Sequence, residues 1–306
     1  MEQKSSTLSI LIPTYNDNCL TLVKDVRDLC LDIAGLDFEI LVGDDGSTST
    51  EVIEANKKID TLSHCKYLLR GENTGRARIR NYLAHEAQYD LLLFIDTQKS
   101  IISADFIKNY LSRANEADVI YGGQVIVGDE AAYQGNLRRK YEVAYQKTSH
   151  AALRQENPYA NFNTSNFIIR RETMITHPLD ERFTKYGYED VLYGKSLESA
   201  GIKVLHINNP VGLGRFESNE RYVNKTEEAL RTLHAFSHEI GDHSRMLRIV
   251  SKLRRFGIAW LPKNVFFFLH SPMRHHLVGK HPSLKIFHFY RLGYFLSLDK
   301  ELKGEK

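Results

Sequence analysis

The chain has 306 residues, 42% of them hydrophobic and 26% charged, with a formal net charge of +3 and only three cysteines. That is the composition of a globular protein with room for one large domain or two small ones. The scattered, odd-numbered cysteines speak against a disulfide framework, and no run reaches the ~18–20 apolar residues of a membrane span. The opening "MEQKSSTLSILIPTYN" has no long apolar segment, so no signal peptide is expected. In chain order, "LSILI" (8–12) reads as a strand and residues 17–34 as a helix, with Leu20, Val23, Leu29, Leu31 and Ile33 as inward positions. "FEILV" (38–42) is a second strand, and a short helix follows Ser49. "CKYLL" (65–69) is a third strand, residues 76–87 are helical, and "DLLLFI" (90–95) is a fourth strand. This alternation predicts an α/β fold with a mainly parallel central sheet flanked by helices.

In such sheets ligands bind outside the carboxyl ends of the strands. The segments there are "PTYN" (13–16), "GDDGSTS" (43–49), "GENTGRARIRN" (71–81) and "DTQ" (96–98). Each has an ordinary reading alone, as a turn, a helix N-cap or a solvated helix face. Four in succession along one sheet edge point to a ligand site.

These segments, with "FID" closing the fourth strand and "TSNFIIRRE…ERFTKYGYEDVLYGKSLESAGIKV" further on, resemble the family 2 glycosyltransferases, which have the nucleotide-sugar-binding GT-A fold. The resemblance runs from about residue 8 to about residue 230. It implies an inverting transfer of sugar from a nucleotide diphosphate sugar, with UDP favoured, to a hydroxyl of a glycan or lipid-linked acceptor. Pro13, Thr14 and Tyr15 would face the base or ribose. Asp45 would accept from the uracil imide N–H, with Asp44 preceding it on the strand end. Gly75 would let the backbone approach the ligand. Arg76 and Arg80, four apart on one helix face, suit diphosphate oxygens, and the resemblance favours Arg80. Thr164, Ser165 and Asn166, with Gly187 and Tyr188, would line the acceptor side. Glu189 would position the acceptor, and Asp190 would be the catalytic base.

The pattern departs from the family at the expected metal ligands, both after the fourth strand and after the Glu189-Asp190 pair, where Gly212, Leu213 and Gly214 stand in place of a further His. An Asp-x-Asp pair after the fourth strand is expected to hold Mg²⁺ or Mn²⁺, and here the triplet is Asp96-Thr97-Gln98. Gln98 offers only a neutral oxygen, which weakens hard-cation binding. Three readings follow: weak metal binding by Asp96 and the donor phosphates, cationic side chains in place of metal, or a non-catalytic relative that binds sugar nucleotides or glycans within an assembly complex. His206 reads as a strand histidine rather than a ligand. No nucleic-acid partner is expected.

The charge is unevenly spread. Residues 244–306 carry thirteen Lys or Arg against three acids, a net +10, leaving −7 for residues 1–243. The same tail is rich in aromatics, so the chain is read as a GT-A domain at 1–240 and a basic, aromatic extension at 241–306. "SRMLRIVSKLRRFGIAWL" resembles an interfacial helix on an anionic membrane; the alternative is a helical cap whose aromatics fill a core. A cytoplasmic place, at the inner face of the cell membrane, is the expectation that follows.

Overall fold

A computed structural model describes residues 6–299. The first half alternates as β1 (Ser6–Thr14), α1 (Leu20–Leu31), β2 (Leu36–Asp44), α2 (Thr50–Lys57), β3 (Cys65–Leu69), α3 (Arg76–Glu86) and β4 (Leu91–Ile95). Next come β5 (Lys99–Ser100), α4 (Phe106–Arg113), β6 (Val119–Tyr121), β7 (Gln124–Ile126), α5 (Leu137–Gln146) and α6 (Ala151–Gln155). Then follow β8 (Asn166–Arg170), α7 (Arg171–Thr176), α8 (Glu189–Ser199), β9 (Val204–His206) and β10 (Val211–Leu213). Helices close the chain: α9 (Asn219–Ala235), α10 (Ser237–Ile240), α11 (Arg245–Arg255), α12 (Trp260–Val278) and α13 (Leu284–Ser297).

Two compact units share these elements. The first takes the chain up to Val127, Ser149–Thr184 and Tyr193–Gly214; the second takes Gly128–Thr148, Lys185–Leu192 and the chain from Arg215. The segment read as a C-terminal extension falls within the second unit.

The first unit holds a seven-stranded sheet in the order β3-β2-β1-β4-β8-β6-β9. β1 pairs in parallel with β2 and β4, β2 with β3, and β6 with β9; β8 runs antiparallel to both β4 and β6. Ile10 stands opposite Ile40 and Leu93, which fixes the register at the sheet centre. β4 reads as an unbroken apolar run, and the buried parts of β1 and β2 nearly so, because both faces are covered. Ile10 and Ile12 pack with Val23, Val26 and Ile40 on one face, while Leu11, Leu41, Leu92 and Phe94 pack with Ala77, Ile79 and Leu83 on the other. A three-stranded sheet, β5-β10-β7, completes this unit.

Helix α1 is shorter than its apolar pattern suggests. Asn18 accepts from the Leu20 amide and starts the helix there. Its inward stripe is Leu22, Val23, Val26 and Cys30, at helical spacing, while Leu31 is 48% exposed.

The second unit has its own core of Leu137, Val223, Phe266, Leu277, Phe287 and Tyr290. Here α12 and α13 come so close that a Cβ on Gly293 would stand 2.4 Å from Phe266. Among the described residues no helix is long and apolar enough to cross a membrane.

Candidate active site

Hydrogen bonds stitch together the strand ends of the first unit. The Asp45 amide donates to the Thr14 carbonyl at 2.9 Å, the Thr97 hydroxyl to the Pro13 carbonyl at 2.6 Å, and the Asp96 amide to the Ser165 carbonyl at 3.0 Å. Asn16, at φ 49°, accepts from the amides of Thr48 and Ser49 and donates its own amide to the Ser47 hydroxyl. The segments after β1, β2 and β4 therefore form one rim. On it Pro13 and Thr14 are the last residues of β1; Thr14 is buried, and Tyr15 is 48% exposed.

The two adjacent aspartates point to different places, as neighbours at a strand end must. Asp44 is fully buried. It accepts from the Ser47 amide at 2.7 Å and from the Tyr67 hydroxyl. Burial, then this bond, pushes the Tyr67 phenol well up, so Tyr67 stays a donor. Through these two bonds Asp44 braces the loop. Asp45 turns toward the loop after β3. Its Oδ1 accepts from the Thr74 amide and hydroxyl, its Oδ2 from the Gly75 amide at 2.8 Å, and Arg70 lies 3.5 Å away. A carboxylate oxygen has two lone pairs, so Oδ2 keeps one acceptor position.

Two glycines permit this junction. Gly46, at φ 74°, approaches so closely that a Cβ there would lie 2.3 Å from the Glu72 backbone. Gly75, at φ 97°, turns the chain into α3, where any L side chain would be strained.

Helix α3 then presents Arg76 and Arg80 to Asp96. Arg80, 1% exposed, donates Nη2 to Asp96 Oδ1 and Nη1 to the Arg76 carbonyl at 2.9 Å. Arg76, partly exposed, donates to Asp96 Oδ2 at 3.2 Å. Burial opposes ionisation of Asp96, but Arg80, Arg76 and Lys99 outweigh it and hold the carboxyl below its usual range. Lys99, on β5, was not singled out in the sequence; its ammonium donates to Gln124 at 2.6 Å.

This donor set does not fit Mg²⁺ or Mn²⁺. Both oxygens of the one carboxylate are held by guanidiniums, and Gln98 is exposed and neutral. A hard divalent ion seeks charged oxygens and would here meet three cations. Among the described residues no three His, Cys, Asp or Glu side chains gather as metal ligands. His206, in β9, is a satisfied strand residue. Arg154 donates to its Nδ1, its Nε2 stands 2.8 Å from the Pro158 carbonyl, and burial chiefly lowers its pKa to about 4.

The segment at 164–166 is buried. Asn166 accepts from the Tyr110 hydroxyl and donates to the carbonyls of Gly123 and Asn209, so its side chain faces the core. Thr164 is buried as well, and the Ser165 hydroxyl is buried with no hydrogen-bond partner.

In the second unit, Gly187 and Tyr188 both have positive φ, 101° and 67°. A Cβ on Gly187 would meet Ala229 at 2.5 Å, and an aromatic residue at positive φ is an outlier. This turn delivers Glu189 and Asp190 to the start of α8. The Gly187 amide donates to Glu189 at 3.1 Å, and the Val191 amide to Asp190 at 2.9 Å. Strain of this kind is retained at working sites.

The sequence model described as "Glycosyl transferase family 2" matches residues 9–176. An uncharacterized glycosyltransferase of Haemophilus influenzae is 33% identical over 102 residues, a segment that is 33% of this chain and 38% of that relative. Among solved structures, the mannosyltransferase PcManGT from Pyrobaculum calidifontis, in complex with GDP-Man and Mn²⁺, matches with a TM-score of 0.54 at 12% identity, covering 98% of this chain and 88% of that one. S. aureus TarS 1-349 matches with a TM-score of 0.50 at 15% identity, covering 98% and 92%. The family match spans more than half the chain and includes the whole stitched rim, so the chain belongs to glycosyl transferase family 2 and is a glycosyltransferase of the GT-A fold.

Proposed function

We propose that this glycosyltransferase moves a sugar from a UDP-sugar to a hydroxyl of a glycan or lipid-linked acceptor, with inversion, at the cytoplasmic face of the cell membrane. The observation that carries the donor side is the cationic cluster of Arg76, Arg80 and Lys99 around a single carboxylate. A diphosphate gathers charge as it leaves, and pre-placed guanidiniums can stabilise it without a metal. Asp96 keeps the two arginines aligned until the phosphates arrive. The free lone pair of Asp45 Oδ2 is the acceptor offered to the uracil imide N–H. Asp190 takes the proton of the acceptor hydroxyl, whose oxygen bonds to the anomeric carbon as the bond to the diphosphate oxygen breaks. UDP departs from the opposite face, and the centre inverts.

A panel of nucleotide sugars tests the donor. At a hundredfold excess over Kd, UDP-sugars are expected to raise Tm by about 5 °C, while guanine and adenine analogues leave it unchanged. A shift with a purine donor alone would overturn the choice of UDP. No shift with any donor would overturn the reading itself. Donor binding with no transfer to any acceptor would favour a non-catalytic relative, the reading that Gln98 keeps open.

A further inference from the structure

The aromatics near the C-terminus of the second unit have two different fates. On α12, Pro262, Phe266, Met273 and Leu277 share one face, and it packs inward. Trp260, Leu261, Phe267 and Phe268 share the opposite face, at helical spacing, and Trp260, Phe267 and Phe268 are 60%, 64% and 76% exposed. The turn before the helix adds Phe256 and Ile258, also exposed. Scattered exposed apolar residues are ordinary, but six within thirteen positions form a patch.

Charge decides what covers it. On α11, Arg245, Arg248, Lys252 and Arg255 fall on one exposed stripe. Between Asp242 and Asp299 the chain has no acidic residue at all. A second copy of the chain would bring like charge to like charge. A surface of anionic lipid offers apolar depth for the aromatics and negative headgroups for the stripe, and Trp is the residue favoured at that boundary. We propose that the turn 256–259 and the outer face of α12 dock on an anionic membrane as a peripheral anchor, with the basic stripe of α11 supplying electrostatic attraction. The proposal deepens the placing of the transferase at the membrane but does not depend on its donor chemistry.

The test is flotation of the full chain with vesicles of neutral phosphatidylcholine, alone or mixed with phosphatidylglycerol. Binding is expected to the mixed vesicles and to fall steeply as salt rises, since each basic residue near such a surface strengthens it about fivefold. The triple variant W260S/F267S/F268S and the charge variant R248E/K252E/R255E should each lower recovery by about tenfold or more, with the UDP-induced Tm shift kept. All six residues are at the surface, and if one variant fails to fold the other still decides. Equal recovery of wild type and the folded variant, or equal binding to neutral vesicles, would overturn the proposal. So would light scattering that shows a dimer dispersed by the triple substitution, which would assign the face to a second copy.

Discussion

Asp190→Asn is expected to lower the rate of sugar transfer by about 10²–10⁴-fold, the usual loss when a general base is removed, while UDP affinity stays unchanged. The geometry makes this a clean experiment. Asp190 stands in the first turn of α8, where its Oδ1 accepts from the Val191 amide. An asparagine keeps that oxygen and its hydrogen bond, so the helix start survives. What it loses is the ability to take a proton. The loss should appear in kcat, because the interaction matters only as the acceptor oxygen attacks. Near-wild-type kcat with the true acceptor would show that the base lies elsewhere.

Arg80→Met should damage both stability and donor binding. Arg80 is buried against Asp96, and removing one member of such a pair costs about 3 kcal/mol because the other charge is stranded. UDP affinity should fall by about 30-fold or more, the loss expected for a charge-assisted diphosphate contact. Asp96→Asn separates the two roles of the cluster. If the arginines bind the diphosphate and the carboxylate only aligns them, this variant is less stable yet still binds UDP. A fold-only role for Arg80 predicts the reverse pattern for Arg80→Met, with lost stability and intact affinity. The pH dependence follows from the sign of the shift. Asp96 has a depressed folded-state pKa, so its contribution is full above the ordinary carboxylate value and is lost as pH falls through the depressed one. The Tm gap between wild type and Asp96→Asn should therefore be full at about pH 5, persist below the ordinary Asp value of about 3.9, and close only as pH falls further.

Much of this was legible in the sequence. Strands buried on both faces have to be largely apolar, so β1, β2 and β4 announced themselves, while β3, at the sheet edge, showed as a short run with Lys66 and Leu69 exposed. The polar segments after them marked the rim, and Arg76 and Arg80 fell on one helix face as their spacing requires. Other features depend on phase or distance that a linear pattern does not carry. An apolar run looks the same in either direction, so nothing marked β8 as the antiparallel strand. Asp44 and Asp45 are neighbours on a strand end, and which one turns inward was settled by Tyr67 and Thr74. Lys99 reads as an isolated loop cation until β5 places it beside Asp96. Phe266 and Phe267 differ by 100° around a helix, which sends one into a core and leaves the other at the surface.

In the proposed mechanism basic side chains, in place of a metal, hold the diphosphate of the donor. Calorimetric titration of UDP into the wild-type chain, once in EDTA and once with Mn²⁺, tests it directly. Saturable binding is expected in EDTA, with Kd within about threefold of that in Mn²⁺, a difference under ~0.7 kcal/mol. Binding that is absent in EDTA and appears with Mn²⁺ would contradict it.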